Sequence, residues 1–272
     1  MFITRLATAG VLLAACVSAL FFLPNLGWAA LLLAALAIAS WEWAVLTGLQ
    51  RAARGLFAGG VAASAVAVWL LVAESAQGSG GISVPEFLIY GASCIFWSFI
   101  AVPWVAWHWP ARSKLVMTAA GWIVLVPAWL ALARLQADPQ RLLAVLAIVW
   151  LADTAAYLCG RAWGRHKLAP SISPAKTWEG VAGAVAAVAV YYVALSGAVP
   201  DWGWLQGVRG LALFAGVALM AVAGDLFESW MKRQAGVKDS GTLLPGHGGV
   251  LDRIDSMASS LPFAALLLTY SG

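Results

Sequence analysis

Asp225, Glu228, Ser229 and Lys232 stand at i, i+3, i+4 and i+7, a spacing that places four polar side chains on one helix face. Residues 238–256 follow as KDSGTLLPGHGGVLDRIDS, where Asp252 and Asp255 open a further apolar run. Carboxylates in a first helical turn are favoured by the helix dipole. Gly241, Pro245, Gly246, Gly248 and Gly249 let the intervening loop fold back, so Asp225 is expected near Asp252 and Asp255. Carboxylates beside Lys232, Arg233, Lys238 and Arg253 suit hard cations holding a polyphosphate. Mg²⁺ takes a few carboxylates, waters and phosphate oxygens, basic side chains donate to phosphate, and glycine amides approach it closely.

A second polar group comprises Asp153, Tyr157 and the stretch SISPAKTWEG at 171–180. Asp153 falls inside a predicted apolar helix, where a carboxylate costs about 2.5–3.5 kcal/mol on insertion scales and implies a function. Ser173, Lys176 and Thr177 are placed to meet phosphate near a helix start, and Ser173 or Thr177 also suits an N-cap. Glu42, between Trp41 and Trp43, is a further buried carboxylate, expected to hydrogen-bond between helices. His108 reads as interfacial, and His166 has no evident partner.

These groups must be positioned by a very apolar chain. Of 272 residues, 62% are hydrophobic and only 10% charged, with a mean hydropathy of +0.87; soluble domains carry about 25% charged residues. The predicted fold class is an all-α integral membrane protein with about nine transmembrane helices. The runs are 5–24, 26–46, 56–73, 86–107, 115–133, 141–160, 178–198, 207–228 and 257–271, since a span needs about 20 apolar residues. The first is too long for a usual signal peptide and reads as an uncleaved helix. One membrane domain is expected, with N-terminal transmembrane helices in 1–140 and the helices that carry the site in 141–272. Cys16, Cys94 and Cys159 have neither disulfide nor zinc spacing.

With the N-terminus in the cytoplasm, thirteen of the 16 Lys and Arg lie on that side, including Arg112 and those of the loops 161–177 and 229–256. Only Arg134, Arg141 and Arg209 lie opposite, as the positive-inside rule requires. The net charge of +4 therefore reports membrane orientation rather than nucleic-acid binding. Trp104, Trp107, Trp109, Trp202 and Trp204 are expected at the membrane interfaces. Gly55/Gly59 and Gly60/Ser64 have the spacing of close helix approaches.

The stretch Ser229-x-Met-Lys-Arg-x4-Lys238-Asp239-x-Gly241-x2-Leu244-Pro245-x-His247-Gly-Gly-Val-x-Asp252-Arg253-Ile-Asp255 resembles the signature of phosphatidate cytidylyltransferases, without departure over its 27 residues. Asp153-x2-Ala-Tyr157-x2-Gly160 and Ser173-Pro-x-Lys176-Thr-x-Glu-Gly180 are similar to the same family. The resemblance implies CTP and membrane phosphatidate as substrates, CDP-diacylglycerol and diphosphate as products, and Mg²⁺ as cofactor, with room for a second cation. It implies Asp225, Asp252 and Asp255 as metal ligands. Lys232, Arg233, Lys238 and Arg253 would hold phosphates, and Ser173, Lys176, Thr177, Ser229, Gly248 and Gly249 would line the substrate pocket. His247 either donates to a phosphate or braces the loop. The resemblance allows a homodimer, while the basic inner loops and the absence of organelle targeting suit a bacterial inner membrane with the site facing the cytoplasm. A CTP-dependent polyprenol or phytol kinase is the alternative; an ion-coupled transporter using Glu42, Asp153 and Asp225 is a further one, though it lacks a visible repeat.

Overall fold

The computed structural model describes residues 2–75, 82–110, 113–243 and 248–269, so Arg112 and His247 lie outside them. The order is α1 (Phe2–Phe22), α2 (Asn25–Leu46), α3 (Arg51–Ser75), α4 (Val84–Ile95), a π-helical turn (Phe96–Ala101), α5 (Val102–Ala106), α6 (Lys114–Leu135), α7 (Pro139–Trp163), β1 (Lys167–Ala169), β2 (Ser173–Thr177), α8 (Trp178–Ala198), a 3₁₀ turn (Gly203–Leu205), α9 (Gly207–Gln234) and α10 (Leu251–Thr269). The nine apolar runs overlap α1, α2, α3, α4 through α5, α6, α7, α8, α9 and, within the described residues, α10.

Among the described residues, seven segments are long and apolar enough to cross a membrane: α2, α3, α4 through α5, α6, α7, α8 and α9. This is a multi-pass membrane protein. In α1 the shorter apolar stretch is Leu13–Phe22, and α10 begins with the charged residues Asp252, Arg253 and Asp255. Phe22, Leu56, Phe99, Leu115 and Val208 on the outer surface are largely exposed, as lipid-facing side chains would be.

Local chemistry sets the helix starts. The Ser83 hydroxyl and Glu86 carboxylate cap α4 reciprocally. Ser113, Asp138 and Thr177 cap α6, α7 and α8 through their side-chain oxygens. The link between α7 and α8 is not the simple turn expected of an all-α chain. It holds the antiparallel pair β1–β2, with Lys167 opposite Thr177 and Ala169 opposite Ser173. Pro170 and Pro174 exclude helix here, and the Ile172 amide closes the turn on the Ala169 carbonyl at 3.1 Å.

Two expectations about packing are corrected. Trp104 is buried rather than interfacial. With Trp43, Phe96, Trp97 and Trp230 it surrounds Phe227 at ring separations of 5.5–6.3 Å. The π-helical turn, just ahead of Pro103, delivers Phe96 and Trp97 to this cluster. Gly55, Gly59 and Gly60 have open space where a side chain would project, so among the described residues no helix approaches them closely on that side. Ser64 instead accepts a hydrogen bond from the Trp122 indole at 2.8 Å.

Candidate active site

The C-terminal ends of α7 and α9, the N-terminal ends of α8 and α10 and the β1–β2 hairpin enclose a cavity of about 440 Å³. Asp153 and Tyr157 of α7, Ser173, Lys176 and Thr177 of β2, Asp225 and Lys232 of α9, and Asp252, Arg253 and Asp255 of α10 line it together with Asp239. The residues whose spacing suggested a phosphate site thus converge on one space, although 72 positions separate Asp153 from Asp225.

The acid-bearing helices meet at Gly224. A methyl there would run into the Asp255 carbonyl and the Ser259 hydroxyl, so only glycine lets α9 and α10 bring Asp225 and Asp255 onto one wall. We expect Gly224→Ala to destabilise the protein by about 1–3 kcal/mol, the usual cost of overpacking, and to lower activity. Thermal unfolding in detergent with a parallel turnover assay checks this; unchanged values in both would mean that the two helices have slack.

Ion pairs fill the site. The Lys176 ammonium contacts Asp225 Oδ2, and the Ser229 hydroxyl donates to Asp225 Oδ1 at 3.2 Å. Lys232, 12% exposed, lies between Glu228 and Asp252, reaching Asp252 Oδ1 at 2.7 Å. Asp252 Oδ2 accepts from the amides of Gly249 (2.8 Å) and Ser240 (2.9 Å). Burial raises the Asp252 carboxyl, but the Lys232 ammonium and these amides outweigh it and hold the group well below the usual carboxylate range. Asp255 accepts from its neighbour's amide, Ser256 N, at 2.7 Å and has Asp225 and Asp153 as charged neighbours. The Ser256 hydroxyl reaches Asp153 at 3.4 Å.

The remaining expected residues divide between support and surface. Gly248 adopts φ +83° and packs on Asp252, leaving no room for a side chain. Thr177 lines the cavity while capping α8 through its hydrogen bond from Gly180 N. Arg233 turns away from the cavity and donates to the carbonyls of Ile172 (3.0 Å) and Val237 (3.2 Å), tying the hairpin to the end of α9. Lys238 is exposed. His166 gains the partner that its sequence context hid, Glu179 at 2.6 Å. His108, at φ 53°, meets the Ser171 hydroxyl at 2.7 Å.

Ser240, Glu228 and Glu42 take part to a degree that spacing did not reveal. A serine between Asp239 and Gly241 carries no periodic signal. Glu228 was visible only as a member of the polar face. Among the described residues, no cluster of three or more His, Cys, Asp or Glu side chains is set to hold a metal ion; Asp252 in particular spends both oxygens on Lys232 and the loop.

Fold and site define a multi-pass membrane protein with a cavity of paired acids and bases where four helix ends meet. The chain belongs to the cytidylyltransferase family, whose profile matches residues 3–271. It is 37% identical to the phosphatidate cytidylyltransferase of Pseudomonas aeruginosa over 98% of this chain and 97% of that one. It is 32% identical to the Haemophilus influenzae protein of the same name over 95% and 96%. A Brucella suis phosphatidate cytidylyltransferase is 51% identical over 46% of this chain and 44% of its own.

Proposed function

We propose that this protein is a phosphatidate cytidylyltransferase, making CDP-diacylglycerol and diphosphate from CTP and phosphatidate in the cavity between α7 and α10. The observation that carries the reading is the convergence there of Lys176, Asp225, Lys232, Asp252, Arg253 and Asp255, in a chain with near full-length similarity to proteins of that name.

A phosphatidate phosphate oxygen attacks the α-phosphorus of CTP. A new P–O–P bridge forms as the bond from the α-phosphorus to the bridging oxygen breaks, and diphosphate leaves with the electron pair. Phosphatidate is already anionic, so no general base is needed. The protein's task is positioning and charge neutralisation. Lys176, now paired with Asp225, is placed to turn to an incoming phosphate; Arg253 and Lys232 line the same space. Lys238, exposed on the loop that follows α9, is left for looser phosphate contacts, and Arg233 acts through the hairpin it holds rather than on phosphate.

The acids fit Mg²⁺, which prefers one or two carboxylates completed by substrate phosphates and water over a closed protein cage. Asp225 and Asp255 would hold it, joined by Asp252 once phosphate draws Lys232 away. The ion would offset phosphate charge and polarise the α-phosphorus. Ser173, Ser229 and the Gly248–Gly249 turn complete the pocket, and Thr177 fixes its α8 wall. Nine spans, a cytoplasmic N-terminus and a cytoplasmic site in a bacterial inner membrane belong to this proposal; the excess of basic residues in the loops on one side supports that orientation. CTP then arrives from water and the lipid from the leaflet.

Purified protein in detergent with Mg²⁺, phosphatidate and CTP labelled separately in the base and the γ-phosphate tests the reaction. Cytidine label should enter the lipid, γ-label should leave as diphosphate, and EDTA should abolish both. Lipid carrying only γ-phosphate would overturn the reading in favour of a lipid kinase.

A further inference from the structure

Glu42 sits in the C-terminal third of α2, only 6% exposed. A carboxylate buried in a membrane helix is costly and needs compensation. Its partners come from the far end of the chain. Oε1 accepts from Val250 N at 3.1 Å, 208 positions away, and Oε2 accepts from Leu251 N at 2.8 Å. These amides begin α10, where the helix has no intrahelical acceptors for its first N–H groups and favours negative charge. Glu42 thus caps α10 from another helix.

The contact also reaches the substrate side. The Ser240 hydroxyl lies 3.2 Å from Glu42 Oε2 and 2.9 Å from Asp252 Oδ2, bridging the two carboxylates. Gly241 and Gly249 pack against Glu42 so closely that a methyl on either would strike its carboxylate. The neighbouring Trp43 locks α2: its indole donates to Met117 O at 2.9 Å and stacks on Phe227.

We propose that Glu42 is a positioning residue for cytidylyl transfer, fastening the loop around Ser240 and Gly249 to α2 so that Asp252 and Lys232 are held in register. Its kinetic consequence rests on the function proposed above; the fastening itself does not. Glu42→Gln keeps the volume but offers an NH₂ where an amide donor needs an acceptor. It should lower kcat by at least about tenfold, the scale of one lost charge-assisted hydrogen bond, with the KM for CTP within about twofold. Hydrogen exchange should accelerate in the peptide 248–256 and stay unchanged in α6.

Gly241→Ala supplies the converse, because the three atoms nearest its added methyl all belong to Glu42. Alone it should impair turnover; introduced into Glu42→Ala it should cost little more. Wild-type exchange and kcat in Glu42→Gln, faster exchange with unchanged kcat, or multiplicative losses in the double variant would each overturn the proposal. Faster exchange in Glu42→Gln of a chain whose wild type consumes no CTP would support the fastening and reject the cytidylyltransferase reading instead.

Discussion

Asp252→Asn is expected to lower kcat by about 10²–10³-fold, the range seen when one preorganised electrostatic group is removed from a site. The carboxylate accepts from Lys232 Nζ, Ser240 N and Gly249 N at 2.7–2.9 Å. All three are donors, whereas an asparagine has one acceptor oxygen and an NH₂. Whichever way the amide turns, an N–H group faces either the ammonium or the two backbone amides. The loop loses its brace and Lys232 loses half of its compensation. A direct role in holding Mg²⁺ would be lost in the same change. Turnover of labelled CTP, with the chain's elution from a sizing column as control for folding, measures the effect. Full synthesis by Asp252→Asn would remove Asp252 from the site's working parts.

Asp225→Asn separates metal holding from loop bracing, because Asp225 contacts Lys176 and Ser229 but, among the described residues, none of the loop's amides. Its loss should raise the Mg²⁺ concentration needed for half-maximal rate while leaving exchange in 248–256 unchanged. If it instead loosens that peptide, the two acids act as one structural unit.

The helices and the site were legible to different depths, for physical reasons. A span declares itself through some twenty apolar residues in a row, so seven of the nine runs coincide with described helices long and apolar enough to cross a membrane, while the first and last overlap α1 and α10, which are not among those seven. The signature declares itself through charge and glycine at fixed spacing, and the fold brings its Lys232, Asp239, Asp252, Arg253 and Asp255 into one cavity. What spacing could not reveal depends on which helix lies beside which. Trp104 stands near a helix end, where tryptophans usually anchor to the interface, yet the π-helical turn and α9 enclose it. Glu42 could be read only as buried and paired, since its partners lie on α10 and in the loop before it. The β1–β2 hairpin is too short for periodicity to register, though Pro170 and Pro174 did exclude a continuous helix. Gly224, unlike Gly55 or Gly59, is a glycine where two helix backbones meet, and small-residue spacing alone does not distinguish them.

Lys232→Met should be the most damaging single change, because it removes the one described ion-pair partner of Glu228 and leaves Asp252 with only the neutral donors of Ser240 and Gly249. Their side chains are only 4% and 5% exposed, and breaking a buried pair from one side costs about 3–5 kcal/mol. A sharp fall in the detergent unfolding temperature and loss of turnover are therefore expected together. That coincidence leaves the cause ambiguous, and a second substitution resolves it. Adding Glu228→Gln removes one of the stranded charges, so the double variant should recover part of the unfolding temperature. It should not recover turnover if the ammonium is needed for the phosphates of CTP or the leaving diphosphate. Turnover that returns with stability would reduce Lys232 to a structural cation. A stable but inactive double variant would place its charge in the chemistry, with Glu228 serving to hold it where α9 meets the cavity.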